Sequence, residues 1–162
     1  MIRAWNGWLA GLAASLFIAG AARAVDVAGL EGAYRVEGEC AERTEDGEYR
    51  PCLAWNELTL RPLPDGRVAF FLSTSTFATT AGGCELSGYL TPVRSGRTLR
   101  LTGTDAADAT CRIAFDVKPR VIALAEPAPP AGACKLSCGW NSSLYSDPFP
   151  RRSRRPLPVA SE

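Results

Sequence analysis

The chain has 162 residues, enough for one domain but not for two, and its 18 basic against 17 acidic residues leave a formal net charge of +1. No strong field therefore points to nucleic acid or to a membrane surface as the main partner. There is no histidine, and the single methionine is Met1. Ser-His-Asp and Cys-His triads are excluded, and zinc and copper lose their commonest ligand, so no metal or cofactor is expected.

At the N-terminus, Arg3 precedes an apolar run over residues 8–22, and Ala22-Arg23-Ala24 reads as a small-residue cleavage site. The run is roughly 15 residues, the length of a signal h-region, whereas a spanning helix needs about 20. Residues 1–24 are thus expected to be a signal peptide cleaved after Ala24, leaving no stable membrane anchor. All six cysteines follow it, and an even number behind a signal peptide reads as a disulfide framework. The excess of Arg over Lys, with abundant Ala, Gly and Pro, indicates a GC-rich bacterial genome, so the expected location is periplasmic or secreted.

Along the chain, Gly32-Ala33-Tyr34-Arg35-Val36-Glu37-Gly38 alternates apolar and polar positions between glycines, as a half-buried strand does. Residues 39–51 form a polar connection with Asp46-Gly47 as its turn, and a hairpin there brings Cys40 to Cys52. The next strand, 52–63, changes phase: Leu53 and Trp55 share one parity, Leu58 and Leu60 the other, and a bulge near Asn56-Glu57 would restore a single face. Pro64-Asp65-Gly66 turns into a strand with Val68, Phe70 and Leu72 inward and Phe71 outward. Residues 73–83 read as an edge strand running into a loop.

Cys84, Leu86 and Leu90 then share one strand face, residues 92–96 turn, and Leu99 and Leu101 lie inward on the return. Residues 105–108 are a polar loop. Residues 110–117 are the clearest strand, with Cys111, Ile113, Phe115 and Val117 on one side, and Lys118-Pro119 turns into 121–125. A Pro-rich connection, 127–132, leads to Cys134 and Cys138. The tail, 151–162, is charged and unpatterned and is expected to be disordered. About eight short strands with turn chemistry between them predict an all-β fold over 25–150, a small antiparallel meander barrel stapled by disulfides, because closure removes exposed edges.

The run Glu37, Glu39, Glu42, Glu45, Asp46, Glu48 lacks the D-x-D-x-D-G spacing of a calcium loop and reads as a solvated hairpin tip. Asp105 and Asp108 are carboxylates of the type glycoside hydrolysis uses, but no apolar setting is evident around them. Arg94 and Arg97 on a hairpin tip are the candidate partner-binding residues. Arg151, Arg152, Arg154 and Arg155 suit acidic lipid or envelope anions, or simply a solvated tail. Asn141-Ser142-Ser143 matches a glycosylation acceptor, a pattern of little weight in a bacterial chain.

Cys134 and Cys138 admit two arrangements. In a strand, residues four apart lie about 13 Å apart, beyond the roughly 4.4–6.8 Å a disulfide spans, so each would reach separately toward Cys84 and Cys111. In a helical turn they lie about 6 Å apart, with Gly139 placed as a cap, and can pair with each other. The sequential set Cys40–Cys52, Cys84–Cys111, Cys134–Cys138 is preferred. No C-x-x-C redox spacing is present.

The succession Gly82-Gly83-Cys84-Glu85-Leu86-Ser87-Gly88, then Cys111-Arg112-Ile113-Ala114-Phe115, then Cys134-x-x-x-Cys138-Gly139 with Ser143, Tyr145 and Phe149-Pro150-Arg151 resembles small secreted proteobacterial β-barrel proteins. These are similar in size and strand layout to the periplasmic lysozyme inhibitors. The resemblance covers most of residues 30–152. It implies a non-enzymatic barrel that protects the envelope as an inhibitor or binds an envelope or extracellular protein. The inhibitor family plugs its target with a loop bearing Ser and Lys, and no residues here match that loop. A small-ligand carrier using the barrel interior is the alternative.

Overall fold

The structure, a computed structural model, describes residues 26–75, 83–96, 98–125, 134–138, 144 and 146–158. The expected signal peptide, most of the 73–83 loop, Arg97, the Pro-rich connection and Asn141-Ser142-Ser143 lie outside the described residues. Eight strands follow one another: β1 (Gly32–Arg43), β2 (Tyr49–Pro62), β3 (Val68–Ser75), β4 (Gly83–Ser95), β5 (Thr98–Asp105), β6 (Arg112–Val117), β7 (Val121–Leu124) and β8 (Phe149–Pro150). Each pairs antiparallel with its sequence neighbour in one sheet, a nearly closed barrel of meander topology.

The alternation of the strands builds the core. Tyr34, Leu58, Leu60, Leu72, Leu86, Leu90, Leu99, Leu101, Phe115 and Ile122 point inward and are buried, as period-2 patterning requires. Phe70 and Phe115 meet edge to face, with ring centroids 6.2 Å apart.

The barrel closes through the segment expected to be a disordered tail. After β8 the chain makes a 3-10 turn, Arg151–Ser153, and Arg155 then forms an antiparallel bridge with Ala33 on β1. The Ala33 amide donates to the Arg155 carbonyl (3.0 Å) and the Arg155 amide to the Ala33 carbonyl (2.8 Å). Two further bonds hold the seam: the Arg35 amide donates to Ser153 Oγ (3.1 Å), and Arg154 donates to the Gly29 carbonyl (3.2 Å). Charge and lack of pattern suggested a solvated tail; what orders these residues is the unpaired edge of β1, which supplies backbone partners no side-chain pattern reveals.

Two boundaries also shift. The polar connection 39–51 is mostly strand, since β1 and β2 pair without a break to Arg43↔Tyr49. Likewise β4 runs through Pro92 to Ser95 instead of turning. It has by then passed the last β3 pair, Val68↔Leu90, and a free edge tolerates proline.

Two disulfides differ from the sequential set. Cys40 pairs with Cys52 as expected, but Cys84 joins Cys138 and Cys111 joins Cys134. The segment is a helical turn, α1 (Lys135–Cys138), entered through Cys134 at a φ of 66°. Helical spacing puts both sulfurs on one face of the turn, and that face lies against the barrel, with Cys134 and Cys138 both buried. The turn is therefore bolted twice, once to β4 and once to the loop before β6. The bonds close loops of 54 and 23 residues, which loop entropy values at about 4 and 3.4 kcal/mol, whereas a loop of four would yield only about 2.

Candidate protein-binding surface

β1 and β2 keep one register from Gly32↔Leu60 to Arg43↔Tyr49. Among the described residues, β3 accompanies β2 over Glu57↔Ser73 to Pro62↔Val68. No third strand among those residues pairs with 36–43 and 49–56, which run on as a two-stranded arm rooted in the barrel by Val36 and Asn56. Its tip is closed by the Thr44 amide donating to the Glu48 carbonyl (2.8 Å) and the Gly47 amide donating to the Thr44 carbonyl (2.9 Å). A lone hairpin is marginal in water. Cys40–Cys52, an opposed pair halfway along, supplies the missing restraint, worth about 3 kcal/mol by loop entropy.

The constant register means that β2 carries no bulge at Asn56-Glu57. Leu53 and Trp55 instead keep the parity the sequence gives them and point outward, 69% and 61% exposed, with Tyr49 63% exposed on the same face. Glu37 stands opposite Trp55, Glu39 opposite Leu53, and Arg43 opposite Tyr49. Further down, Arg35 and Glu57 form an ion pair at 2.5 Å. The face thus reads apolar along β2, with Glu37 and Glu39 flanked by Arg35 and Arg43 along β1.

Asn56, where the bulge was expected, turns inward and is buried. Its Oδ1 accepts from the Ser75 amide (2.8 Å), tying the end of β3 to the root of the arm. Gly38 makes room for it: a Cβ there would lie 2.7 Å from Asn56 Nδ2. A cavity of about 480 Å³ opens at this root, lined by Glu37, Glu39, Leu53, Asn56, Ser75 and Asp147 among others.

The residues singled out from the sequence fall elsewhere. Arg94 is exposed on β4 opposite Leu99, at the barrel end away from the arm. Asp105 and Asp108, expected in a polar loop, are 3% and 8% exposed. Asp105 Oδ1 accepts from the Ser87 amide (2.8 Å) and Oδ2 from the Ser137 hydroxyl, joining β4 to α1. Asp108 Oδ1 accepts from the Thr110 amide (3.0 Å) and hydroxyl (2.6 Å). Both carboxylates are taken up in holding the capped end together. The phase change within β2 is the sequence signal for the outward Leu53 and Trp55, and Tyr49 shares their parity.

Among the described residues, no three His, Cys, Asp or Glu side chains group to hold a metal, and no helix is long and apolar enough to cross a membrane. No family model, curated protein or solved structure matches the chain.

Proposed function

We infer that the chain is a non-enzymatic periplasmic or secreted β-barrel of the lysozyme-inhibitor-like type, one that protects the envelope by binding a protein through the β1–β2 arm. One observation carries this reading: Tyr49, Leu53 and Trp55 stand in water on one face of a stapled hairpin that no third strand covers among the described residues. Water-exposed apolar area forgoes about 25 cal/mol per Å², and interface centres are built from such Trp and Tyr anchors. A pre-stapled arm also loses little conformational entropy on binding. Across residues 36–56 the six acids Glu37, Glu39, Glu42, Glu45, Asp46 and Glu48 outnumber Arg43 and Arg50, a net negative charge that favours a cationic partner.

The interior-carrier alternative needs an open barrel. The inward positions are instead occupied by Tyr34, Phe70, Phe115, Phe149 and the leucines, which argues for the surface reading.

A turbidity assay with a c-type lysozyme tests the inhibitor form, comparing the native protein with Leu53→Ala/Trp55→Ala. Inhibition at micromolar protein should weaken about thirtyfold or more in the variant, while its melting temperature stays unchanged. Full lysozyme activity at that concentration removes the inhibitor form. Photo-crosslinking from position 53 in cells then tests binding itself: absence of any adduct that Glu37→Gln/Glu39→Gln diminishes would sink it.

A further inference from the structure

The barrel end opposite the arm carries a second feature that the arm does not use. The turn between β6 and β7 and the 3-10 turn Arg151–Ser153 lie side by side there, because Val121 pairs with Pro150 and the Arg151 amide donates to the Arg120 carbonyl (2.9 Å). Between them is a cleft of about 440 Å³ lined by Pro119, Val121 and Pro150 and by Arg120, Arg151 and Arg152. The ion pairs of the described residues join Arg35 to Glu57, Arg67 to Asp65 and Arg100 to Asp116. None involves the three arginines of the cleft. Lys118, two residues before Arg120 and exposed, adds a fourth cation nearby.

Three arginines thus border one small, largely apolar cleft, and none of the ion pairs among the described residues engages them. Guanidinium forks match the oxygens of phosphate and bind them in pairs of parallel hydrogen bonds. The two prolines and Val121 between them offer a surface for an alkyl or aryl body. We propose that this cleft binds a phosphate group carried on an apolar body. An envelope lipid headgroup and a free organophosphate both present that chemistry.

Calorimetric titration of the purified protein with hexyl phosphate, inorganic phosphate and hexanol tests the free source. Co-sedimentation with phosphatidylcholine vesicles, with and without phosphatidic acid, tests the lipid source. Hexyl phosphate should bind more tightly than inorganic phosphate, hexanol should not bind, and added salt should weaken the interaction. Arg120→Gln/Arg152→Gln should reduce affinity about tenfold or more. Arg120→Lys, which keeps the charge and loses the fork, should fall between. The double variant alters only exposed side chains, so its melting temperature should stay close to that of the native protein. Binding confined to phosphatidic acid vesicles supports the proposal with a lipid as ligand, and binding of hexyl phosphate in solution supports it with a soluble one. Equal affinity for hexanol or inorganic phosphate, unchanged affinity in the double variant, or no binding in either format overturns it.

Discussion

Tyr34 shows how one side chain couples the core to pH. It is fully buried, and its hydroxyl donates to the Leu30 carbonyl at 2.7 Å. Burial pushes its pKa above the ordinary tyrosine value, and the nearby Arg154 and Arg151 partly oppose this. The folded state therefore favours the neutral phenol. Its contribution to stability is complete below the unfolded tyrosine pKa of about 10 and is lost as pH rises through the folded value. Tyr34→Phe should cost about 1 kcal/mol at neutral pH through the lost hydrogen bond. It should also flatten the alkaline loss of stability, measured by denaturant unfolding from about pH 8 to about pH 11; an unchanged alkaline limb would show that another group is responsible. Gly32 makes a second case. At φ +149° an added Cβ would lie 2.8 Å from Arg154 Cγ and 2.9 Å from the Arg155 carbonyl oxygen, so the closing segment would have to move. Gly32→Ala should destabilise by about 1–3 kcal/mol, whereas Gly66→Ala, with open space around it, should cost only its turn strain. The strand role of Tyr34 was legible from its alternation with Arg35 and Val36. The need for glycine at 32 was not, because the atoms that crowd it come from the far end of the chain.

At the scale of elements, the arm depends on one covalent bond. Without Cys40–Cys52 it has two strands and a charged tip, and lone hairpins are marginal in water. Cys40→Ser/Cys52→Ser should therefore raise amide exchange over 36–43 and 49–56, while leaving β3 to β6 protected. Global loss of protection in that variant would mean that the arm and the barrel fold as one unit. The pairing itself was legible, since a turn signal at Asp46-Gly47 sits between the two cysteines. The outward face of the arm was written in the same stretch and passed over. Leu53 and Trp55 break parity with Leu58 and Leu60, and the unbroken β1–β2 register carries no bulge to bring them inside. Strands obey their period of two more strictly than apolar residues obey burial, so the phase change marked a surface. For α1 the error was in the partner. Spacing identified a helical turn, but nothing local shows that two other strands present their own cysteines beneath it.

Taken whole, the molecule is a barrel whose first and last strands do not pair directly along their length. β8 has only two residues, and closure passes through the Arg151–Ser153 turn to the Ala33–Arg155 bridge. The basic end and the seam are thus one structure, with the acidic arm at the other end of the same strands. Cutting the chain after Pro150 would remove the paired Ala33 and Arg155 bonds and the contacts of Ser153 and Arg154 with Arg35 and Gly29. At about 0.5–1.5 kcal/mol each, these four bonds amount to roughly 2–6 kcal/mol. For a domain of this size that is on the order of 10 °C in melting temperature. The cut would also free the β1 edge from Gly32 onward, and such an edge pairs with the next one available. The truncated protein should therefore melt earlier and run as a concentration-dependent oligomer by light scattering, with strand content preserved in its circular dichroism. Restoring residues 151–158 alone should return both the oligomeric state and the melting temperature of the full chain, because the described seam contacts lie within that segment. A truncated chain that stays monomeric and equally stable would show instead that β8 seals the barrel unaided.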